Sequence, residues 1–306
     1  MRNAVINYVY QEAQKNKNIM LLVWDIGYSV IEEFQKNLPD QFINMGISEQ
    51  NMAGVAAWLA LTGKKVFCFS IIPFLIMRAY EQIRVDVCSQ NLDVNFIWVG
   101  WWFAYWSLGN THYWIEDINL MKWLPNMKIL SPADKYEAKL CMDYLFTQKG
   151  PFFVRLNRGW ESDIHTNPLD GLDISDGITV QKWEDICLIS TWNILGVSLK
   201  TAVILESKWI SVHILSIPLI KPIDQKRVLK YLESKKGIFT IEEHTVIWWL
   251  WDTIASILAE NSVSTKFKKF GVSDSFPLYV WNQDYMRQLV WLHEWKLSET
   301  ILHELS

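Results

Sequence analysis

Apolar residues along this chain gather in short unbroken runs separated by longer mixed stretches. A strand covered on both faces has no reason to alternate, so such runs read as strands of a parallel sheet sandwiched between helices. Residues 19–23, 65–70, 94–99, 127–130 and 152–156 read this way, and 41–44 is a weaker strand. Residues 1–17, 48–61, 115–123 and 133–147 read as helices between them. Pro73 suits the first turn of a further helix running to about residue 89. A second series follows, with strands at 186–190, 211–216 and 238–241 and helices at 194–207, 225–234 and 245–260. The tail carries a strand near 267–271 and two short helices. The expected class is α/β, as two doubly wound domains with mainly parallel sheets.

The alternation fails where Asn167, Pro168, Asp170, Gly171, Asp173, Asp176 and Gly177 crowd together. That composition reads as a linker, giving a domain over 1–160, a linker over 161–183 and a domain over 184–306. A length of 306 residues suits two domains. Hydrophobic residues at 50% and charged residues at 20% exclude disorder. A net charge of -4 leaves no electrostatic footprint for nucleic acid. The longest apolar stretches, 67–77 and 97–108, fall short of the roughly 18 residues of a spanning helix. Residues 1–17 lack the apolar core of an export signal. Cys68, Cys88, Cys141 and Cys187 form no CxxC pair, so neither a zinc ribbon nor a disulfide framework is expected. A reducing, cytoplasmic location fits, with no membrane contact.

Residues 42–52 (FINMGISEQNM) run from a strand into a helix. Ligands of open α/β sheets sit at the carboxyl ends of strands, which makes this a good address for a site. Gly46 permits a tight turn, Ser48 can cap the helix and Glu49 sits in its first turn. By themselves these residues equally describe a capped helix with an acidic start, which the helix dipole favours.

Further segments shift the balance: Ser70 to Gln82 (SIIPFLIMRAYEQ), Leu108 to Tyr113 (LGNTHY) followed by Ile115-Glu116-Asp117, Leu130 to Asp134 (LSPAD) and Val154 to Gly159 (VRLNRG). Their order and spacing resemble the pyrimidine-binding domain of transketolases, and Glu242-Glu243-His244 resembles the signature of the transketolase C-terminal domain. The diphosphate-binding GDG…N segment of a full transketolase has no counterpart. The chain thus looks like the C-terminal subunit of a split transketolase.

The resemblance implies a cofactor, thiamine diphosphate, with Mg²⁺ ligands on a separate N-terminal subunit, most simply in an α2β2 heterotetramer. It makes 1–160 the pyrimidine-binding domain and 184–306 the transketolase C-terminal domain. The implied activity is transfer of a two-carbon ketol unit between sugars or sugar phosphates. Glu49 would hydrogen-bond N1′ of the aminopyrimidine, a task that favours a carboxyl able to share a proton and so benefits from burial. Phe74 would face the pyrimidine ring, with Met77, Tyr80 and Asp25 near it. His112 would contact substrate, and Arg158 would hold a sugar phosphate with its planar charged fork. Leu108 departs from the family, which often has Asp there, so the donor sugar is left open.

Two other readings stand beside this one. The β subunit of a 2-oxoacid dehydrogenase shares the two-domain layout, and a non-catalytic subunit could bind a partner alone. Composition adds a complication: there are 18 Trp and 13 Gly, where about 7% Gly is usual. Trp98-Val99-Gly100-Trp101-Trp102 falls where the resembled family has a glycine-rich run. Trp24, Trp58, Trp106, Trp160, Trp183, Trp192, Trp209, Trp248, Trp249 and Trp251 also fall at Gly or small residues of that family. Either the chain is altered or designed, with tryptophan written over a natural glycine set, or the loops have adapted around the rings. The first is favoured, because these tryptophans ignore helix, strand and loop alike.

Overall fold

The computed structural model describes residues 1–25, 30–100, 114–157, 162–276 and 281–306. Helix α1 (Arg2–Lys15) buries Val5, Ile6 and Val9 on one face. Strand β1 (Ile19–Val23) is buried throughout and leads to α2 (Glu32–Asn37), β2 (Phe42–Asn44) and α3 (Glu49–Leu61). Strand β3 (Lys65–Ile71) passes into α4 (Ile72–Arg78), which has proline in its first turn. The single helix expected to residue 89 is not continuous. It breaks at Ala79, resumes as α5 (Tyr80–Gln82) and widens into a π-helical segment, Ile83–Cys88. Then come β4 (Val94–Val99), α6 (Asp117–Lys122), β5 (Lys128–Leu130), α7 (Lys135–Thr147) and β6 (Phe152–Leu156). Asp134 caps α7 by accepting the N–H groups of Tyr136 and Glu137, both at 2.9 Å. Its other oxygen accepts from Ile164 and His165 at 3.0 and 2.8 Å, so one carboxylate also ties down the connection beyond β6.

The second series is β7 (Ile178–Gln181), β8 (Ile186–Ser190), α8 (Leu195–Glu206), β9 (Val212–Ser216), β10 (Leu219–Lys221) and α9 (Gln225–Leu232). It ends with β11 (Gly237–Thr245), α10 (Leu250–Glu260), β12 (Lys266–Val272), α11 (Gln283–Leu289) and α12 (Glu294–Leu305). Helix α10 starts at Leu250, not at 245, because β11 continues to Thr245. The Glu242 carboxylate on β11 accepts the first free N–H groups of that helix, from Leu250 at 3.1 Å and Trp251 at 2.8 Å.

A seven-stranded sheet runs β10-β5-β6-β4-β3-β1-β2 and a five-stranded sheet runs β12-β11-β8-β9-β7. All pairs are parallel except β10 with β5 and β7 with β9. The mainly parallel α/β architecture agrees with the hydrophobic pattern. Strand β10, from the second series, forms an edge of the first sheet. Apolar side chains form three layers. One holds α1 and α7 against the first sheet, and another holds α8 and α12 against the second. The middle layer draws on both halves of the chain, joining Leu22, Met52 and Phe96 to Ile189, Leu215 and Ile254.

Candidate active site

From β1 the chain goes to β2 on one side of the sheet and then to β3 on the other. Such a reversal opens a crevice outside the carboxyl ends of the strands. Trp24 and Asp25 leave β1 there, residues 45–49 leave β2, and α4 leaves β3.

Glu49 is the first residue of α3 and is 5% exposed. Arg78, at the end of α4, donates from Nη1 to Glu49 Oε1 at 2.8 Å. The same guanidinium lies over the Phe74 ring, its carbon 4.5 Å from the centroid. Phe74 in turn packs on Trp24, with centroids 5.2 Å apart and planes at 37°. One cluster therefore links the exits of β1, β2 and β3: an aromatic face, a buried carboxylate and a planar cation between them.

Gly46 has φ +63 and open space where a Cβ would stand, so backbone conformation alone calls for glycine. Its N–H donates to Asn44 Oδ1 at 2.9 Å. Ser48 holds the N-cap position of α3 without capping it, because its hydroxyl donates back to the Met45 carbonyl at 2.6 Å. Asp25, at φ +31, accepts from Asn44 Nδ2 at 3.2 Å. It ties the exits of β1 and β2 together through Asn44.

Met77 is exposed on α4. Tyr80 donates its hydroxyl to the Leu120 carbonyl at 2.9 Å, bracing α5 against α6, and burial pushes that hydroxyl upward in pKa. The structure thus brings Glu49 and Phe74 into one cluster and gives Asp25 and Tyr80 bracing contacts. His112 and Arg158 lie outside the described residues, as do Trp101, Trp102, Trp106 and Trp160. The sequence reading missed Arg78 and Asn44. Arg78 stands four residues after Phe74 on the same helix, a spacing that puts the two on one face and was the available signal.

A second buried group lies at the junction of the two series. Arg155, 1% exposed, donates from Nε to Asp117 Oδ2 at 2.9 Å. Its guanidinium carbon sits 4.2 Å from the Trp192 ring centroid and 5.5 Å from that of Trp249. His244 Nε2 stands 3.6 Å from Asp117 Oδ1. Burial first, and the Arg155 charge second, hold His244 well below the usual histidine range, so its imidazole is neutral. The neighbouring Glu243 pairs with Arg287 and accepts from Gln283 at 3.0 Å. Burial pushes Glu242 up to about 8 against the pull of its bonds to Thr240 and the start of α10. A buried ion pair, whose loss would strand a charge, therefore joins α6 and β6 to the Glu242-Glu243-His244 segment. Among the described residues, no group of three His, Cys, Asp or Glu side chains is placed to hold a metal ion. Among them also, no helix is long and apolar enough to cross a membrane.

Residues 1–160 match the family described as "Transketolase, pyrimidine binding domain", and residues 176–282 match "Transketolase, C-terminal domain". The chain belongs to the transketolase family. Among its relatives is a putative transketolase C-terminal section from Methanocaldococcus jannaschii, 32% identical over 90% of this chain and 87% of that one. One of the subunits of an apulose-4-phosphate transketolase from Actinobacillus succinogenes is 31% identical over 80% of this chain and 78% of that one. A solved structure described as "Split gene transketolase, inactive beta4 tetramer" is 28% identical with a TM-score of 0.90, covering 99% of this chain and 97% of that chain. This transketolase chain therefore corresponds to the C-terminal part of the family. The matches support that reading over a 2-oxoacid dehydrogenase β subunit.

Proposed function

We propose that this chain is the C-terminal subunit of a split transketolase, and that with an N-terminal subunit it moves a two-carbon ketol unit between sugars or sugar phosphates. The observation that carries the reading is the pairing of a buried carboxylate with an aromatic face at the crevice. A flat, N–H-bearing group already lies on Phe74 with one edge on Glu49, so these two residues fit the pyrimidine half of thiamine diphosphate. The cofactor, when bound, supplies the carbon nucleophile that carries the two-carbon unit. Phe74 orients the ring by stacking. Glu49 holds a proton at N1′, and burial keeps water from competing for that bond. Met77 and Asp25 border the ring, and Tyr80 braces the short helix that follows the one carrying Phe74. His112 contacts substrate and Arg158 holds a sugar phosphate in the same reading. Mg²⁺ and the diphosphate belong to the partner subunit in an α2β2 assembly. A cytoplasmic location goes with this, supported by Cys68, Cys88, Cys141 and Cys187 being buried free thiols.

The test is calorimetric titration of thiamine diphosphate with Mg²⁺ into the folded chain, alone and mixed with an N-terminal transketolase subunit. Binding only in the mixture is expected. Glu49→Gln should then lower ketol transfer by roughly 10²-fold or more while leaving complex formation intact. Unchanged transfer by Glu49→Gln would overturn the role of this carboxylate. No binding in any mixture would point to a subunit that binds a partner without catalysis.

A further inference from the structure

We propose that Arg78 sets the cofactor affinity of this site by occupying the aminopyrimidine's place until the cofactor arrives. The proposal rests on the site reading above and extends it to a residue that reading does not use. Arg78 makes two contacts, an N–H bond to Glu49 at 2.8 Å and a face on Phe74 at 4.5 Å. An aminopyrimidine at this site would use the same carboxylate edge and the same ring face. Two flat groups cannot share one ring face and one carboxylate edge, so binding is an exchange.

The pairing explains how Glu49 survives burial without cofactor. Its side chain is 6% exposed, and an ionised carboxylate at that depth needs a partner. The Arg78 side chain is 52% exposed, so it reaches the carboxylate from the solvent side. A long stem lets its head swing back to water without losing hydration. A guanidinium also stacks on an aromatic face, which a lysine ammonium cannot do as a plane. Only a ligand that replaces both contacts displaces it without loss, which favours the intact cofactor over its diphosphate alone.

The experiment compares wild type, Arg78→Met and Arg78→Lys as complexes with the N-terminal subunit, by calorimetric titration with thiamine diphosphate and Mg²⁺. Arg78→Met removes the competitor and should tighten binding by about three- to tenfold. Arg78→Lys should fall between. Without cofactor, Arg78→Met should melt lower than wild type, and the rise in melting temperature on adding cofactor should be larger. Binding by Arg78→Met that is equal to or weaker than wild type overturns the proposal: equal binding makes Arg78 a bystander, and weaker binding makes it a cofactor contact. If Arg78→Met fails to fold, Arg78→Lys decides by the same criterion. A folded wild-type complex that binds no cofactor overturns the site reading itself and this proposal with it.

The backbone carries a second inference from a separate observation. Trp192, Trp209, Trp248 and Trp291 have φ of 61, 64, 50 and 64. Side chains with a Cβ are strained there, and bulky ones are true outliers. Among the described residues, the buried indole N–H groups of Trp24, Trp114, Trp249 and Trp251 have no acceptor, and Trp209 is 96% exposed. We infer that 192, 209, 248 and 291 are glycine positions of this fold, and that the protein made in its own cells carries glycine there. A single codon, UGA, is decoded as tryptophan in one genetic code and as glycine in another, which would exchange this one pair of residues and no other. Peptide sequencing by mass spectrometry of the protein from its native cells decides. Glycine at 209 and 291 is expected, and tryptophan at both overturns the inference.

Discussion

Helices α3 and α8 end in the same turn built from different residues. After α3, the N–H of Gly63 returns to the Ala60 carbonyl at 3.0 Å and that of Lys64 to Leu59 at 3.2 Å. After α8, Trp209 returns to Glu206 at 3.0 Å and Ile210 to Leu205 at 3.2 Å. Helix α11 closes likewise through Trp291 and Leu292, at 3.2 and 2.8 Å. This is the double hydrogen bond of a Schellman ending, whose pivot residue is left-handed. Glycine takes that conformation freely and tryptophan does not. The identical bonding teaches that the fold, through the burial of the preceding helix, imposes the turn on whatever residue stands there. Local preference and global structure conflict at 209 and 291 and agree at 63.

Replacing both tryptophans should sharpen the comparison most. Trp209→Gly with Trp291→Gly is expected to raise unfolding stability by about 2–4 kcal/mol, read from chemical denaturation at constant m-value. No gain would mean that the rings contribute enough contact to offset the strain. The reverse exchange, Gly63→Trp, should lower stability by about 1–2 kcal/mol. A Cβ at Gly63 meets nothing within 4 Å, so any loss there is backbone strain and not a clash. Two other ends are closed by Ser262 (φ 54) and Asn91 (φ 51). Ser262→Gly should gain roughly 1 kcal/mol and Asn91→Gly only a few tenths, since asparagine tolerates this region. An Asn91→Gly gain as large as that at 209 would break the ordering by side chain.

How far the sequence could be read follows from the range of the forces involved. Strands such as Ile19–Val23 and Phe152–Leu156 were legible because burial on both faces writes an unbroken apolar run. Helix α7 was legible as a helix over 133–147, and its cap, Asp134, sets the start two residues later, at Lys135. Strand β10 was not. Its three residues lie between Pro218 and Pro222, which read locally as a turn, and their partner β5 is far back in the chain. The start of α10 was misplaced because its cap, Glu242, comes from the body of the preceding strand. At the site, the place of Glu49 followed from the strand-to-helix pattern. Its bond to Arg78 joins two helices and leaves no mark in either one's periodicity. Tryptophan at 192, 209 and 248 drew notice because the resembled family has glycine or small residues there, and the backbone is left-handed at these three. Trp58 and Trp251, in contrast, sit in helices, and Trp291 falls outside the tryptophans that the sequence singles out.

The strand that the second half lends to the first has a consequence for anyone who cuts the chain. Leu219 and Lys221 cover the outer edge of β5, so removing everything after residue 183 strips one strand from the seven-stranded sheet. The bared backbone of β5 would then be a template for another molecule's strand. Fragments of this protein should therefore trade edges with one another, forming swapped assemblies, where the whole chain keeps that edge closed.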